Sequence, residues 1–147
     1  EETLAFRKRI LPPNHSDIAT SMNNLAGTLS ALGRHDEALK LKEETLAFQK
    51  RILPPDHPDI ASSMNNLASW LSALGSHDEA LKLKEETLAF HKRILPPDHP
   101  DIATSMNNLA QTLSALGQHD ETLELHQHTL AFLKRVLPPD HPHIAQS

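Results

Sequence analysis

Between residues 59 and 74 the apolar side chains Ile60, Met64, Leu67, Leu71 and Leu74 follow one another at steps of 4, 3, 4 and 3, with Ala61 and Ala68 beside them. That spacing keeps them on one side of a 3.6-residue turn and predicts an amphipathic helix, here termed helix A. Pro58 suits the first helical position, where its missing N–H costs nothing, and Asp59 meets the positive end of the helix dipole. Gly75 stands directly after the last apolar position and supplies the left-handed residue that closes many helices. A second stripe, Ala80, Leu83, Thr87, Phe90 and Ile94, flanked by Leu81, Leu88 and Leu95, predicts helix B from about His77 to Leu95. Pro96-Pro97 stops it, because the second proline bars the first from the helical region.

The same pattern recurs. Pro12, Pro54, Pro96 and Pro138 are 42 residues apart, as are Gly33, Gly75 and Gly117, and "SMNNLA" stands at 21–26, 63–68 and 105–110. A self-similarity of this length marks an array of supersecondary units. The period divides the chain into a partial repeat at 1–13 (the end of a helix B), repeats at 14–55, 56–97 and 98–139, and the start of a further helix A at 140–147. Neither helix can bury its stripe alone, so the hairpins are expected to stack on their neighbours in an all-α array with one concave and one convex side.

The succession Asn66-Leu67-Ala68, Leu71, Gly75, Glu79-Ala80 and Leu83 resembles the tetratricopeptide repeat (TPR). The usual period of that repeat is about 34 residues. The longer period here, with the linker "LPPDHPDIA" and the opening "MNNLA", is similar to the repeats of kinesin light chains and of related bacterial and fungal signalling arrays. The resemblance covers essentially the whole chain. It implies a right-handed α-solenoid of stacked antiparallel helix hairpins, a TPR-like superhelix in which helix A lines the concave groove. The groove positions it implies are Ser62, Asn65, Ser69, Ser72 and Ala73, with Asn66 at the inner edge. Their counterparts are Thr20, Asn23, Asn24, Gly27 and Ser30 in one unit, and Thr104, Asn107, Asn108, Gln111 and Ser114 in the other. All lie opposite the apolar stripe, where a side chain meets solvent or a groove. The chain departs from the family in two ways. Arrays of this kind that clamp an acidic cargo peptide carry lysine or arginine on helix A, where this chain has serine, asparagine or alanine. The tyrosine usual before "DEA" is replaced by His35, His77 and His119.

Charge sharpens the picture of the groove. No charged residue occurs from Ile18 to Gly33, from Ile60 to Gly75 or from Ile102 to Gly117, so nearly all charge belongs to helix B and the linkers. Paired asparagines are poor helix formers, and their recurrence mid-helix asks for a reason. Asparagine offers two donors and one acceptor on a short stem, which suits it to bonding an extended peptide backbone. The competing role is structural, with Asn66 satisfying a neighbouring repeat or linker while Asn65 and its copies face the groove.

Composition limits the chemistry. The chain of 147 residues has no cysteine, which excludes disulfides, thiolate metal sites and thiol catalysis. A formal charge of -5 without basic clusters argues against nucleic acid or an anionic membrane as partner. No apolar run approaches the length of a membrane-spanning helix and the first residues lack the form of a signal peptide, so a cytoplasmic setting is expected. In that setting the sequon Asn14-His15-Ser16 is read as chance. The eleven histidines invite a metal, but His126 and His128 point about 200 degrees apart on a helix, and His57 and His77 recur once per unit as capping and packing residues would. No nucleophile–base pair, phosphate loop or HExxH motif is present, so neither catalysis nor a cofactor is expected. The lone Trp70 stands where Thr28 and Thr112 stand in the other repeats.

Two functions follow from these readings. The first is a non-catalytic protein–protein interaction scaffold that holds a peptide or protein segment against Asn23, Asn24, Ser30, Ser62, Asn65, Asn66, Ser69, Ser72, Asn107, Asn108, Gln111 and Ser114. The alternative is a structural module that stacks head to tail between chains. It is motivated by Leu4, Phe6 and Ile10 near one end and Ile144 near the other, which are expected to be bare, as in a fragment of a longer array.

Overall fold

The computed structural model describes residues 1–10 and 16–137, Ser16 by its backbone alone. Among these residues are seven helices and no strand: α1 (Glu2–Ile10), α2 (Ser16–Ala31), α3 (His35–Ile52), α4 (Pro58–Ala73), α5 (His77–Ile94), α6 (Pro100–Ala115) and α7 (His119–Val136). The even-numbered helices are the helices A of the sequence pattern and the odd-numbered ones the helices B. No described helix is long and apolar enough to cross a membrane.

Helix boundaries follow from local chemistry repeated in each unit. Gly33, Gly75 and Gly117 have φ of 76°, 83° and 75°. At each, the glycine N–H bonds the carbonyl three residues back, and the next N–H bonds the carbonyl five residues back: Gly75 to Ser72 at 3.1 Å and Ser76 to Leu71 at 2.8 Å. This paired closure satisfies carbonyls that the helix end would otherwise leave open. Leu53, Leu95 and Leu137, each preceding a proline, are extended with ψ of 154°, 154° and 155°, as the clash with the proline ring requires. At the start of α4 and α6, imidazoles act as caps: Nδ1 of His57 accepts the Asp59 N–H and Nδ1 of His99 accepts the Asp101 N–H, both at 3.1 Å. The described linker histidines, His57 and His99, thus have a capping role.

The chain forms two compact units, Glu1–Trp70 and Leu71–Ser147. In the first, α2 packs against both α1 and α3, and the core joins Leu4, Ile18, Ala19, Met22 and Phe48, with Leu25, Leu41 and Ile52 against them. In the second, α6 lies against α5 and α7, and Leu88, Ile102, Met106, Leu109, Leu113, Phe132 and Leu133 form the core. Of the predicted helix-A stripe, Ile60, Met64, Leu67 and Leu71 are buried, whereas Leu74, just past the end of α4, is 41% exposed. Each fully buried Val- or Leu-sized side chain contributes roughly 1.5 to 3 kcal/mol.

Two expectations are corrected. Leu4 is not bare but only 8% exposed, because α2 covers it, whereas Phe6 and Ile10 on the same helix are 51% and 54% exposed. Ile144 lies outside the described residues. On helix B, Leu83 and Ile94 are only half-buried while Lys84 and Gln49 are buried. Thr45, Thr87 and Thr129 sit deep in helix B, each hydroxyl donating to the carbonyl four residues back at 2.7 to 2.8 Å. That bond removes the cost of burying an unpaired hydroxyl.

Candidate functional site

The helix-A residues opposite the core stripe form an uncharged outer face beyond the first turn. On α4 the exposed positions are Ser62, Asn66, Ser69 and Ala73, with Asn65 and Ser72 half-buried on its flank. On α2 Thr20, Asn23, Asn24, Gly27 and Thr28 are exposed and Ser30 is half-buried. On α6 Thr104, Gln111 and Ser114 are exposed, and Asn107 and Asn108 are half-buried. The exposure reverses the expected division between the paired asparagines of α4. Asn66 stands on the outward stripe with Ser62 and Ser69, while Asn65 is turned toward the packed side and has an interaction partner. Helical phase alone does not separate the two, since at about 100 degrees per residue both lie about 130 degrees from the centre of the Ile60–Met64–Leu67–Leu71 stripe, on opposite flanks.

Several helix-A hydroxyls, the buried Thr112 among them, are turned back onto their own helix. Thr28 Oγ1 donates to the Asn24 carbonyl at 3.1 Å, Thr112 Oγ1 to the Asn108 carbonyl at 3.3 Å, and Ser62 and Thr104 Oγ to Pro58 and Pro100 at 3.4 Å. Asn24 also lines a cavity of about 230 Å³ between α1 and α2, with Arg7, Ser21 and Thr28. Ser21 Oγ is buried there without a protein partner, and Arg7 is drawn aside to the Asp17 carbonyl at 3.0 Å.

The counterparts of Arg7 and Ser21 fasten helix B to the next helix A in each unit. Ser63 Oγ donates to Gln49 Oε1, and His91 Nδ1 lies 2.6 Å from Ser105 Oγ. Sequence reasoning missed this pair. Its signal was the recurring serine at 21, 63 and 105 combined with a varying polar residue 14 positions earlier, Arg7, Gln49 and His91. Burial lowers the His91 pKa from 6.5, with Asp101 pulling the other way and His99 adding to the lowering.

Trp70 is half-buried rather than presented outward. His35 packs against it at 5.8 Å between ring centroids, and Lys42 Nζ lies 5.4 Å from the indole centroid. Burial holds the Lys42 ammonium below the usual lysine range. No group of three or more histidine, aspartate or glutamate side chains converges among the described residues. His141 and His143 lie outside them.

Against this geometry the comparisons are direct. The tetratricopeptide repeat profile matches residues 1–51, 17–93 and 59–135. The chain belongs to the tetratricopeptide repeat family. Its fold, all-α and repetitive, matches a crystal structure of nearly identical TPR-like repeats ascribed to a kinesin light chain of Podosopora anserina. That match has a TM-score of 0.85 and 30% identity, over 99% of this chain and 69% of the other. A point variant of the same protein matches with the same TM-score and identity, over 68% of its length. BtubC from P. vanneervenii matches in fold, with a TM-score of 0.78 at 22% identity, over 99% of this TPR chain and 58% of that one. No curated protein matches by sequence. The fold is thus that of kinesin light chain-like helical solenoids, and tetratricopeptide repeats generally mediate protein–protein interaction or assembly.

Proposed function

We propose that this TPR chain is a non-catalytic scaffold whose helices A take up a peptide or protein segment through backbone amide contacts. The observation that carries the reading is the uncharged, amide-bearing outer face of α2, α4 and α6, in a chain that places nearly all its charge elsewhere. A face without fixed charge exerts little selection on the partner's ionic side chains. Asparagine amides satisfy an extended backbone whatever its sequence. The kinesin light chain likeness carries the interaction role but not an acidic cargo, because helix A offers no lysine or arginine to meet one.

The test is capture from a native lysate by three forms of the chain: wild type, Asn23/Asn65/Asn107→Ala, and Asn24/Asn66/Asn108→Ala. Loss of captured partners by the variants at unchanged melting temperature supports the reading; full capture by both variants overturns it. A second reading, head-to-tail stacking between chains, is favoured by the exposed Phe6 and Ile10 of α1. A sedimentation mass that stays monomeric over a wide concentration range would rule out the stacking.

A further inference from the structure

Helices α2, α4 and α6 carry a serine at the same place, and two of these serines are paired with the preceding helix B. Ser63 Oγ donates to the side-chain carbonyl of Gln49, and Ser105 Oγ lies 2.6 Å from Nδ1 of His91. Each partner stands 14 positions before its serine, is planar, and in its neutral form offers a lone pair for the hydroxyl.

The residue in that place before Ser21 is Arg7, whose guanidinium has donors only. It reaches instead to the Asp17 carbonyl at 3.0 Å. Ser21 is 5% exposed, and its Oγ has no partner within the chain. Beside it opens a space of about 230 Å³ lined by Leu4, Arg7, Asn24, Leu25 and Thr28, among others. A buried hydroxyl without a partner has lost its hydration for nothing, so a group that accepts from it there gains more than it would in water.

Size and polarity restrict what that group can be. The volume is below the roughly 300 to 1,000 Å³ of small-molecule sites and suits a single side chain. Leu4 and Leu25 give an apolar wall for a methylene stem. Arg7 contributes donors, Asn24 donors and an acceptor, and Glu1 acceptors, with the charges of Arg7 and Glu1 offsetting each other. An ionised group therefore finds no net attraction, whereas a neutral carboxamide can accept from Ser21 and donate to Asn24 and Glu1. It answers this set better than an imidazole, having two N–H bonds where a neutral imidazole has one.

We propose that this space receives a glutamine side chain from a bound peptide or protein segment, its carbonyl accepting from Ser21 as that of Gln49 does from Ser63. Asn24 and Thr28 line the space and stand exposed on α2, so a segment lying along that helix can send one side chain inward. The inference rests on the uptake of a segment by helix A and adds the side chain that the segment brings.

Leucine methyl labelling reports the site, because Leu4 and Leu25 line it, while Leu46 and Leu67 hold the corresponding places where Gln49 is already paired. The probe is acetyl-Gly-Gln-Gly-N-methylamide, with Glu-for-Gln and Leu-for-Gln versions as controls. The expected result is saturable movement of the Leu4 and Leu25 signals by the glutamine peptide alone, with Leu46 and Leu67 unmoved. Ser21→Ala weakens the affinity about fivefold, the worth of one neutral hydrogen bond. Arg7→Gln supplies the carboxamide from within the chain, abolishing the response and raising the melting temperature. Asn65 and Asn107 are not part of the lining, so their joint replacement by alanine leaves the response unchanged even where capture on the asparagine face is lost. No movement of Leu4 and Leu25, equal movement by the glutamate or leucine peptide, or an undiminished response in either Ser21→Ala or Arg7→Gln overturns the proposal. So does movement of the same signals on raising the protein concentration without peptide, which marks a second copy of the chain as the occupant.

Discussion

Gly27 lies within α2 and Gly75 just past the end of α4, and the same substitution is expected to act in opposite directions at the two. Gly27 is in the interior of α2, exposed, with negative φ, and a Cβ built there meets nothing within 4 Å. Its counterparts are Ser69 and Gln111. Gly27→Ala therefore adds only helix propensity and a restriction of the unfolded chain, a gain of about 0.8 to 1 kcal/mol. Gly75 is equally open in space but has φ of +83°. Alanine there meets the left-handed penalty of about 1 to 2 kcal/mol, partly offset by the lower entropy of its unfolded state, for a net loss of about 1 kcal/mol. For a chain of this size each kcal/mol moves the melting temperature by about 2 to 4 °C. Thermal and urea unfolding, followed by far-UV circular dichroism, should give Gly27→Ala above wild type and Gly75→Ala below it. Gly75→Asn should fall between wild type and Gly75→Ala, since asparagine tolerates the left-handed region better. Both alanine variants moving in the same direction would refute the argument, because steric surroundings are alike at the two sites and only backbone conformation differs.

Other expectations concern the histidines and the single tryptophan. Because the folded-state pKa of His91 is lowered, the unfolded chain binds more protons between that value and 6.5. This contribution to stability is complete above about pH 6.5 and is lost as pH falls through the folded value. Urea midpoints of wild type and His91→Gln, compared from pH 7.5 downward, should diverge, the variant holding its stability because glutamine already serves at position 49. His99→Ala removes the side chain that accepts the Asp101 N–H and should cost about 0.5 to 2 kcal/mol, while His99→Asn, a stronger cap, should not destabilise. Calorimetry of the two variants distinguishes them. Lys42→Met keeps the packed stem but removes the ammonium over Trp70, with an expected loss of about 0.5 to 1 kcal/mol and a changed indole emission. An unaltered emission spectrum would show that the cation does not sit on the ring in solution.

Helix positions, their order and their ends were legible in the sequence because each depends on chemistry within about five residues. The glycine closures, the proline-preceding leucines and the 3.6-residue apolar stripes act locally and recur every 42 residues, and the structure places helix ends within a residue or so of where they point. The neutrality of helix A was equally legible, being a matter of composition. What required tertiary structure was anything decided by a neighbouring helix. Leu4 and Phe6 are similar in the sequence, yet α2 covers one and leaves the other exposed. Asn65 and Asn66 are chemically identical, and only the packing of α4 shows which is turned inward. Gln49 and His91 look like surface residues of helix B until they are seen against Ser63 and Ser105, 14 residues further on. The cavity lined by Lys8, Met22 and Phe48 and the one lined by Lys92, Met106 and Phe132 are likewise invisible in one dimension, because each draws its lining from three helices. Periodicity determines which side of a helix is apolar; the helix packed against that side determines what is covered, what is paired and what is left open to bind.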